Sequence, residues 1–159
     1  MCIRDRMVRM GEMLEYTYVN GNAYGTTKKS VEEARARGKN VILDVDTIGA
    51  MKIRALCPDA TLIYILPPSW DELKSRLSST GIYTEEEVNA LMEIAEEEIS
   101  CANSYDYILV NDTISNTLSR FAQIIHSNRY SRNCMKEFLD SYIDGEVKPH
   151  VQSYKEALL

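Results

Sequence analysis

Apolar and polar positions along this chain change period repeatedly between Met13 and Asn128, with strand-like runs alternating with helix-like ones. Met13 to Val19 (MLEYTYV) is dense in aromatic and β-branched residues, which suit a pleated surface. Val41 to Asp46 (VILDVD), Ala60 to Leu66 (ATLIYIL) and Tyr105 to Asn111 (YDYILVN) read as buried parallel strands. Between them, Ser30, Ser69 and Thr84 are each followed three residues later by a glutamate (Glu33, Glu72, Glu87), the reciprocal spacing of a capping box at a helix start. The helix opening at Thr84 carries Val88, Leu91, Met92, Ala95, Ile99 and Ala102 on one stripe, and its glutamates from Glu93 to Glu98 fall mostly on a solvated face. Met135, Phe138, Leu139, Tyr142 and Ile143 predict a further helix over Asn133 to Asp144, stopped by Gly145. The alternation predicts an α/β fold with βαβ units around a parallel sheet.

Composition narrows the function. The 159 residues are 45% apolar and 26% charged, the balance of one ordinary soluble domain able to bury a core without a metal or disulfide staple. Asp plus Glu (24) exceed Lys plus Arg (18), a net charge of −6, so the overall field repels a nucleic-acid backbone and any anion site must be local. Cys2, Cys57, Cys101 and Cys134 are far apart with no CxxC, and only two histidines occur, so neither a zinc site nor a disulfide framework is expected. The apolar runs are too short to span a bilayer, and no secretory signal follows the N-terminal charges. The expectation is a cytoplasmic protein that binds neither membrane nor nucleic acid. The opening MCIRDR fits no periodic template and is set aside as a non-native leader over residues 1–6. Oligomeric state leaves no mark in the pattern.

Two segments can carry chemistry. VILDVDTIG places Asp44 and Asp46 two apart at a strand's C-terminal end, where open α/β sheets bind ligands, so both carboxylates share a face and suit a cation or nucleotide. Asp46 equally suits the N-cap of a helix starting near Thr47, and both roles are compatible. GNAYGTTKKS, from Gly21, combines two glycines, hydroxyls at Tyr24, Thr26 and Thr27, and two lysines, a composition fit for an oxyanion-binding turn or for a plain turn. It is not a P-loop, because GxxxxGK[ST] occurs nowhere in the chain.

Taken together, GEMLEYTYVNGNAYGT, GKNVILDVDTIGA, PDATLIYILPPSWDELKSRL and YDYILVND stand in the order and near the spacing found in guanylate kinases, and the chain resembles that family from about Met10 to Asn128. The resemblance implies a P-loop nucleoside monophosphate kinase-like parallel sheet with helices, lacking the first strand and P-loop, with a small GMP-binding β segment (about 10–30) and a helical lid (about 76–92). Residues 7–128 would form this partial domain and 129–159 a helical extension and tail. By the same resemblance, Glu15 matches the glutamate that accepts hydrogen bonds from guanine. Tyr24, Gly25 and Thr26 lie in the segment that holds the GMP phosphate and base, and Asp44 and Asp46 match the acidic pair beside the nucleotide. Arg76 matches the first lid arginine, and Asn111 the adenine-side contact. ATP and Mg2+ are the implied cofactors and GMP the substrate, although no magnesium ligand is identifiable.

Two departures accompany the matches. Family members begin with a strand and P-loop that have no counterpart before Met7, so a marginal or aggregation-prone chain with no ATP cradle is expected. Thr80 and Leu91 stand where the family carries lid arginines, a pattern that also fits a non-catalytic guanylate-kinase-like domain binding GMP or a phosphorylated partner.

Overall fold

The computed structural model describes residues 3–19 and 22–145. The tail from Glu146, together with Cys2 and Gly21, lies outside the described residues. What is described divides into two compact units, one drawn from Met1–Leu62 and Asn89–Tyr105, the other from Ile63–Val88 and Asp106–Leu159.

The first unit is built on a hairpin. Strand β1 (Met13–Val19) pairs antiparallel with β2 (Asn22–Thr27), with a bulge between Met13 and Glu15. The aromatic and β-branched run thus forms the strand its composition predicts. Asn22–Thr27, within the segment expected to turn, is a strand, because its backbone groups are taken up by β1. Gly25 is required there: a Cβ at this position would stand 2.6 Å from the Tyr16 Cα and 2.8 Å from its Cβ, and would collide with the Glu15 carbonyl oxygen. Helix α1 (Ile3–Arg9) precedes the hairpin and takes in residues that the periodicity had set aside as leader. Helix α2 (Lys28–Ala36) follows β2 directly, and its N-cap is Thr27, whose hydroxyl accepts from the Ser30 N–H at 3.1 Å. The expected start at Ser30 is therefore displaced by three residues, since Ser30 is the donor to the cap rather than the cap itself.

Helix α3 (Thr47–Leu56) packs against β1 and buries Gly49, Ala50 and Ile53. Burial of Ile53 alone contributes about 1.5–3 kcal/mol. The segment before it, Val41–Asp46, is not a strand. Its exposure alternates residue by residue as a strand's would, but strands are defined by inter-strand hydrogen bonds and no described segment pairs with it.

In the second unit β3 (Ile63–Leu66) pairs parallel with β4 (Tyr107–Val110), and the Asn111 N–H extends the ladder to the Leu66 carbonyl at 2.7 Å. These two expected parallel strands form, with less burial than their apolar runs predict. Leu109 is 3% exposed, whereas Ile65, its partner on the same face, and Ile108, on the opposite face, are 55% and 57% exposed, so neither face is fully covered among the described residues. Helix α4 (Trp70–Ser79) is capped by Ser69, whose hydroxyl accepts from the Glu72 N–H at 3.1 Å. The box is only half made, since Arg76 engages the Glu72 carboxylate instead. Helix α6 (Ile114–Asn128) packs on β4 with Thr113 as its N-cap, and α7 (Lys136–Ile143) begins three residues later than the periodicity predicts.

Helix α5 (Glu85–Glu98) continues as a 3₁₀ turn, Ile99–Ser104. Its capping box is complete: the Thr84 N–H donates to Glu87 Oε2 at 2.8 Å, and the Glu87 N–H donates to Thr84 Oγ1 at 3.3 Å. The predicted stripe is the covered face, with Val88 and Ala102 buried and Leu91, Met92, Ala95 and Ile99 half-buried. Among the described residues no helix is long and apolar enough to cross a membrane.

Candidate functional site

The hairpin register places four polar side chains together. Glu15 lies opposite Thr26, and Thr17 opposite Tyr24. Directly paired residues share a face, as do residues two apart on one strand, so Glu15, Thr17, Tyr24 and Thr26 line the same side. Tyr24 is 49% exposed, which leaves its ring accessible to a planar ligand. Gly25 lies between Tyr24 and Thr26, and its part is to let β2 approach β1 closely.

The first turn of α3 meets this hairpin. Asp46 caps the helix, its Oδ1 accepting from the Gly49 N–H at 2.6 Å. A Cβ on Gly49 would stand 3.1 Å from that oxygen and 3.2 Å from the Glu15 Cγ, so the missing side chain is what lets Glu15 lie against the turn. Burial raises the Glu15 carboxyl above its ordinary 4.5, the negative charge of Asp46 raises it further, and Lys52 opposes the rise. Lys52 also sits 5.5 Å over the Tyr16 ring. Glu98, from α5, accepts from the Thr47 hydroxyl at 3.4 Å and steadies the same turn. Asp44 and Asp46 are both exposed on the alternating segment, as their spacing requires. This group is an acceptor-only carboxylate on a floor of strand and helix backbone, flanked by hydroxyls and an aromatic ring. It can hold a planar N–H donor edge.

Gly49 and Lys52 were missed by the sequence reading. Gly49 was visible as the position three after a cap, where the backbone N–H meets the capping oxygen.

In the second unit, Arg76 and Asn111 belong to neighbouring elements. Arg76 Nε donates to Glu72 Oε1 at 2.7 Å, and its Nη2 donates to the Asp112 carbonyl at 3.3 Å. Asn111 Oδ1 accepts from the Thr117 hydroxyl at 3.1 Å, so its side chain offers a ligand its amide N–H groups. The Thr113 N–H donating to Asp112 at 2.6 Å holds that carboxyl below the usual carboxylate range, with Asn116 and Arg120 adding to the effect. Thr80 turns its hydroxyl to the Leu77 carbonyl at 2.8 Å. Among the described residues no group of three or more His, Cys, Asp or Glu could hold a metal ion.

A family model for guanylate kinase matches residues 4–128. The chain belongs to the guanylate kinase family. A guanylate kinase of Clostridium acetobutylicum is 40% identical over 142 residues, covering 89% of this chain and 66% of that protein. One from Polaromonas is 37% identical over 125 residues, 79% of this chain and 61% of the other. The crystal structure of guanylate kinase from Anaplasma phagocytophilum superimposes with a TM-score of 0.64 at 30% identity, covering 80% of this chain and 62% of that one. The fold is thus guanylate kinase-like, and the chain spans a little under two thirds of the length of these relatives. In general the family uses GMP and ATP as substrates and Mg2+ as cofactor.

Proposed function

We propose that this chain is the GMP-binding, lid and C-terminal part of a guanylate kinase homologue, which transfers phosphate from ATP to GMP to give GDP and ADP. The observation that supports it best is the placing of Glu15, which lies against the Gly49 turn with Thr26 and Tyr24 on its own hairpin face. Guanine presents two adjacent N–H donors on one edge, and an ionised carboxylate accepts both without offering a donor of its own. A base lacking those donors would leave the carboxylate unpaired, which is the stronger source of discrimination.

In this reading Tyr24, Gly25 and Thr26 line the base and monophosphate, Asp44 and Asp46 border the nucleotide, Arg76 neutralises the phosphates, and Asn111 meets adenine. Phosphoryl transfer depends on holding the reactants in line and stabilising charge on the phosphoryl oxygens, so these residues bind, orient and neutralise. Mg2+ usually binds through substrate phosphates with one or two carboxylates, so it would enter on ATP rather than in a cage built by the chain. The sequence holds no GxxxxGK[ST], so the chain alone is expected to bind GMP without turning it over.

A second reading, a non-catalytic domain that keeps the monophosphate site, is favoured by the lid. Thr80 spends its hydroxyl on its own helix, and Leu91 lies half-buried on the apolar stripe of α5. Losing one charge-stabilising arginine in phosphoryl transfer can cost about 10³ in rate.

Calorimetric titration with GMP tests the shared part. Binding should weaken at least tenfold in Glu15→Ala, whereas absence of GMP binding by both this chain and a version extended by a P-loop segment would refute the reading. Turnover by the extended version at about 1–100 per second would favour the kinase over the binding domain.

A further inference from the structure

Arg76 is held at two points. It lies in the last turn of α4, and its Nε–H donates to Glu72 Oε1 at 2.7 Å, an i,i+4 contact within the helix. Its Nη2 reaches 36 residues along the chain to the Asp112 carbonyl at 3.3 Å, in the peptide that follows Asn111. That loop is itself fixed. Asp112 Oδ1 accepts from the Thr113 N–H at 2.6 Å, and Oδ2 lies 3.1 Å from Arg120 Nη1 and 3.4 Å from Asn116 Nδ2. Asn111 is tied by its N–H to the Leu66 carbonyl and by Oδ1 to the Thr117 hydroxyl.

An exposed ion pair such as Glu72 with Arg76 stabilises a fold very little. Its effect on ligand binding is separate. A guanidinium fixed along one edge and at one terminal nitrogen has already given up the rotamer freedom that an anion would otherwise have to remove. Two of its five N–H donors are engaged in this way, and among the described residues the others have no partner, so they can meet phosphate oxygens.

We propose that Glu72 and Asp112 are positioning residues for Arg76, holding this arginine to the Asn111 loop so that phosphate neutralisation and the base-side contact form one preset unit for a nucleoside polyphosphate. The proposal rests on the reading of Arg76 as a phosphate ligand and adds two residues to which that reading gives no role. Glu72 acts as a hydrogen-bond acceptor and not through its charge, since a negative charge beside Arg76 repels the anion. The carboxamide of glutamine can do the same work.

The test follows the Arg76 side-chain ¹⁵Nε resonance in the 159-residue chain, assigned by its loss in Arg76→Lys, during titration with inorganic pyrophosphate. Pyrophosphate should shift this resonance. Glu72→Ala should weaken the apparent affinity about 2–10-fold, the range expected from freeing one long side chain, while Glu72→Gln stays within about twofold of the parent. Asp112→Ala should weaken it in the same direction, and Asp112→Asn, which keeps the acceptor for Thr113, less so. In an Arg76→Lys background, with pyrophosphate binding followed by calorimetry, Glu72→Ala should have no further effect.

A resonance that ignores pyrophosphate, a Glu72→Ala affinity equal to or tighter than the parent's, or a Gln variant as impaired as Ala would overturn the proposal. GMP binding on the same samples separates the two readings. GMP bound with no Arg76 response defeats the positioning role alone, and an intact Arg76 response without GMP binding defeats the guanine site alone.

Discussion

Replacing Gly25 with alanine presses a side chain into the narrowest part of the hairpin. The added Cβ would stand 2.6 Å from the Tyr16 Cα and 2.8 Å from its Cβ, and closer still to the Glu15 carbonyl oxygen. Non-bonded carbons rest at about 3.5–4.0 Å, so the strands must part by roughly 1 Å. That displacement takes adjacent N–H···O contacts beyond the range of about 2.7–3.2 Å in which they hold. Two weakened ladder bonds at about 0.5–1.5 kcal/mol each, added to overpacking strain of about 1–3 kcal/mol, give a loss of about 2–6 kcal/mol. With a urea slope of about 1–3 kcal/mol per molar, the midpoint should fall by about 0.7 M or more. Urea unfolding followed by far-ultraviolet circular dichroism measures this, with Gly38→Ala as the comparison. Gly38 has a φ of 71° and open space around it, so it should lose only the left-handed backbone preference, about 1–2 kcal/mol. A Gly25→Ala protein within about 0.5 kcal/mol of the parent would refute the close approach of β1 and β2. GMP binding should weaken with stability, because Glu15 and Thr26 lie on either side of the displaced backbone.

Glu15→Gln should separate stability from binding. The raised Glu15 pKa means that the folded state holds its proton more tightly than the unfolded chain. Its stabilising contribution is therefore complete below about 4.5 and is lost as pH rises through the folded-state value. Glutamine should match the parent near pH 4 and exceed it in urea midpoint at pH 7, while losing guanine binding; equal midpoints at pH 7 would contradict the assigned burial and the repulsion from Asp46. Asp46→Ala should cost about 1 kcal/mol through loss of the α3 cap, and Asp46→Asn much less, since an amide oxygen can still accept from Gly49. In Asp46→Asn, a carbon-detected titration of the Glu15 carboxyl should also show its pKa falling, and an unchanged value would remove Asp46 from the causes of the rise.

Local rules were legible wherever the chain satisfies its own needs. The Thr84–Glu87 box, the Ser69 cap and the covered stripe of α5 depend on groups three or four residues apart, so spacing alone carries them. Asp44 and Asp46 share a side because an extended chain alternates, and a resemblance running through several long motifs singled out Glu15, Tyr24, Arg76 and Asn111 as candidates. Other features needed a partner far along the chain. Val41–Asp46 has the composition and alternation of a strand and yet is not one, because ladder hydrogen bonds come from a neighbour that no residue in the segment specifies. Asn22–Thr27 reads as part of a turn until β1 takes up its backbone, and Gly25 reads as flexibility until the neighbouring strand shows that its missing Cβ is a matter of space. The same holds for the site. Sequence supplied the carboxylate proposed to read guanine, but its raised pKa, its seat against Gly49 and the bond from Arg76 to the Asp112 carbonyl arise only from distances between separate elements. Composition fixes which groups are available, and tertiary packing decides which of them meet, because electrostatic and steric effects depend on separation in space and not along the chain.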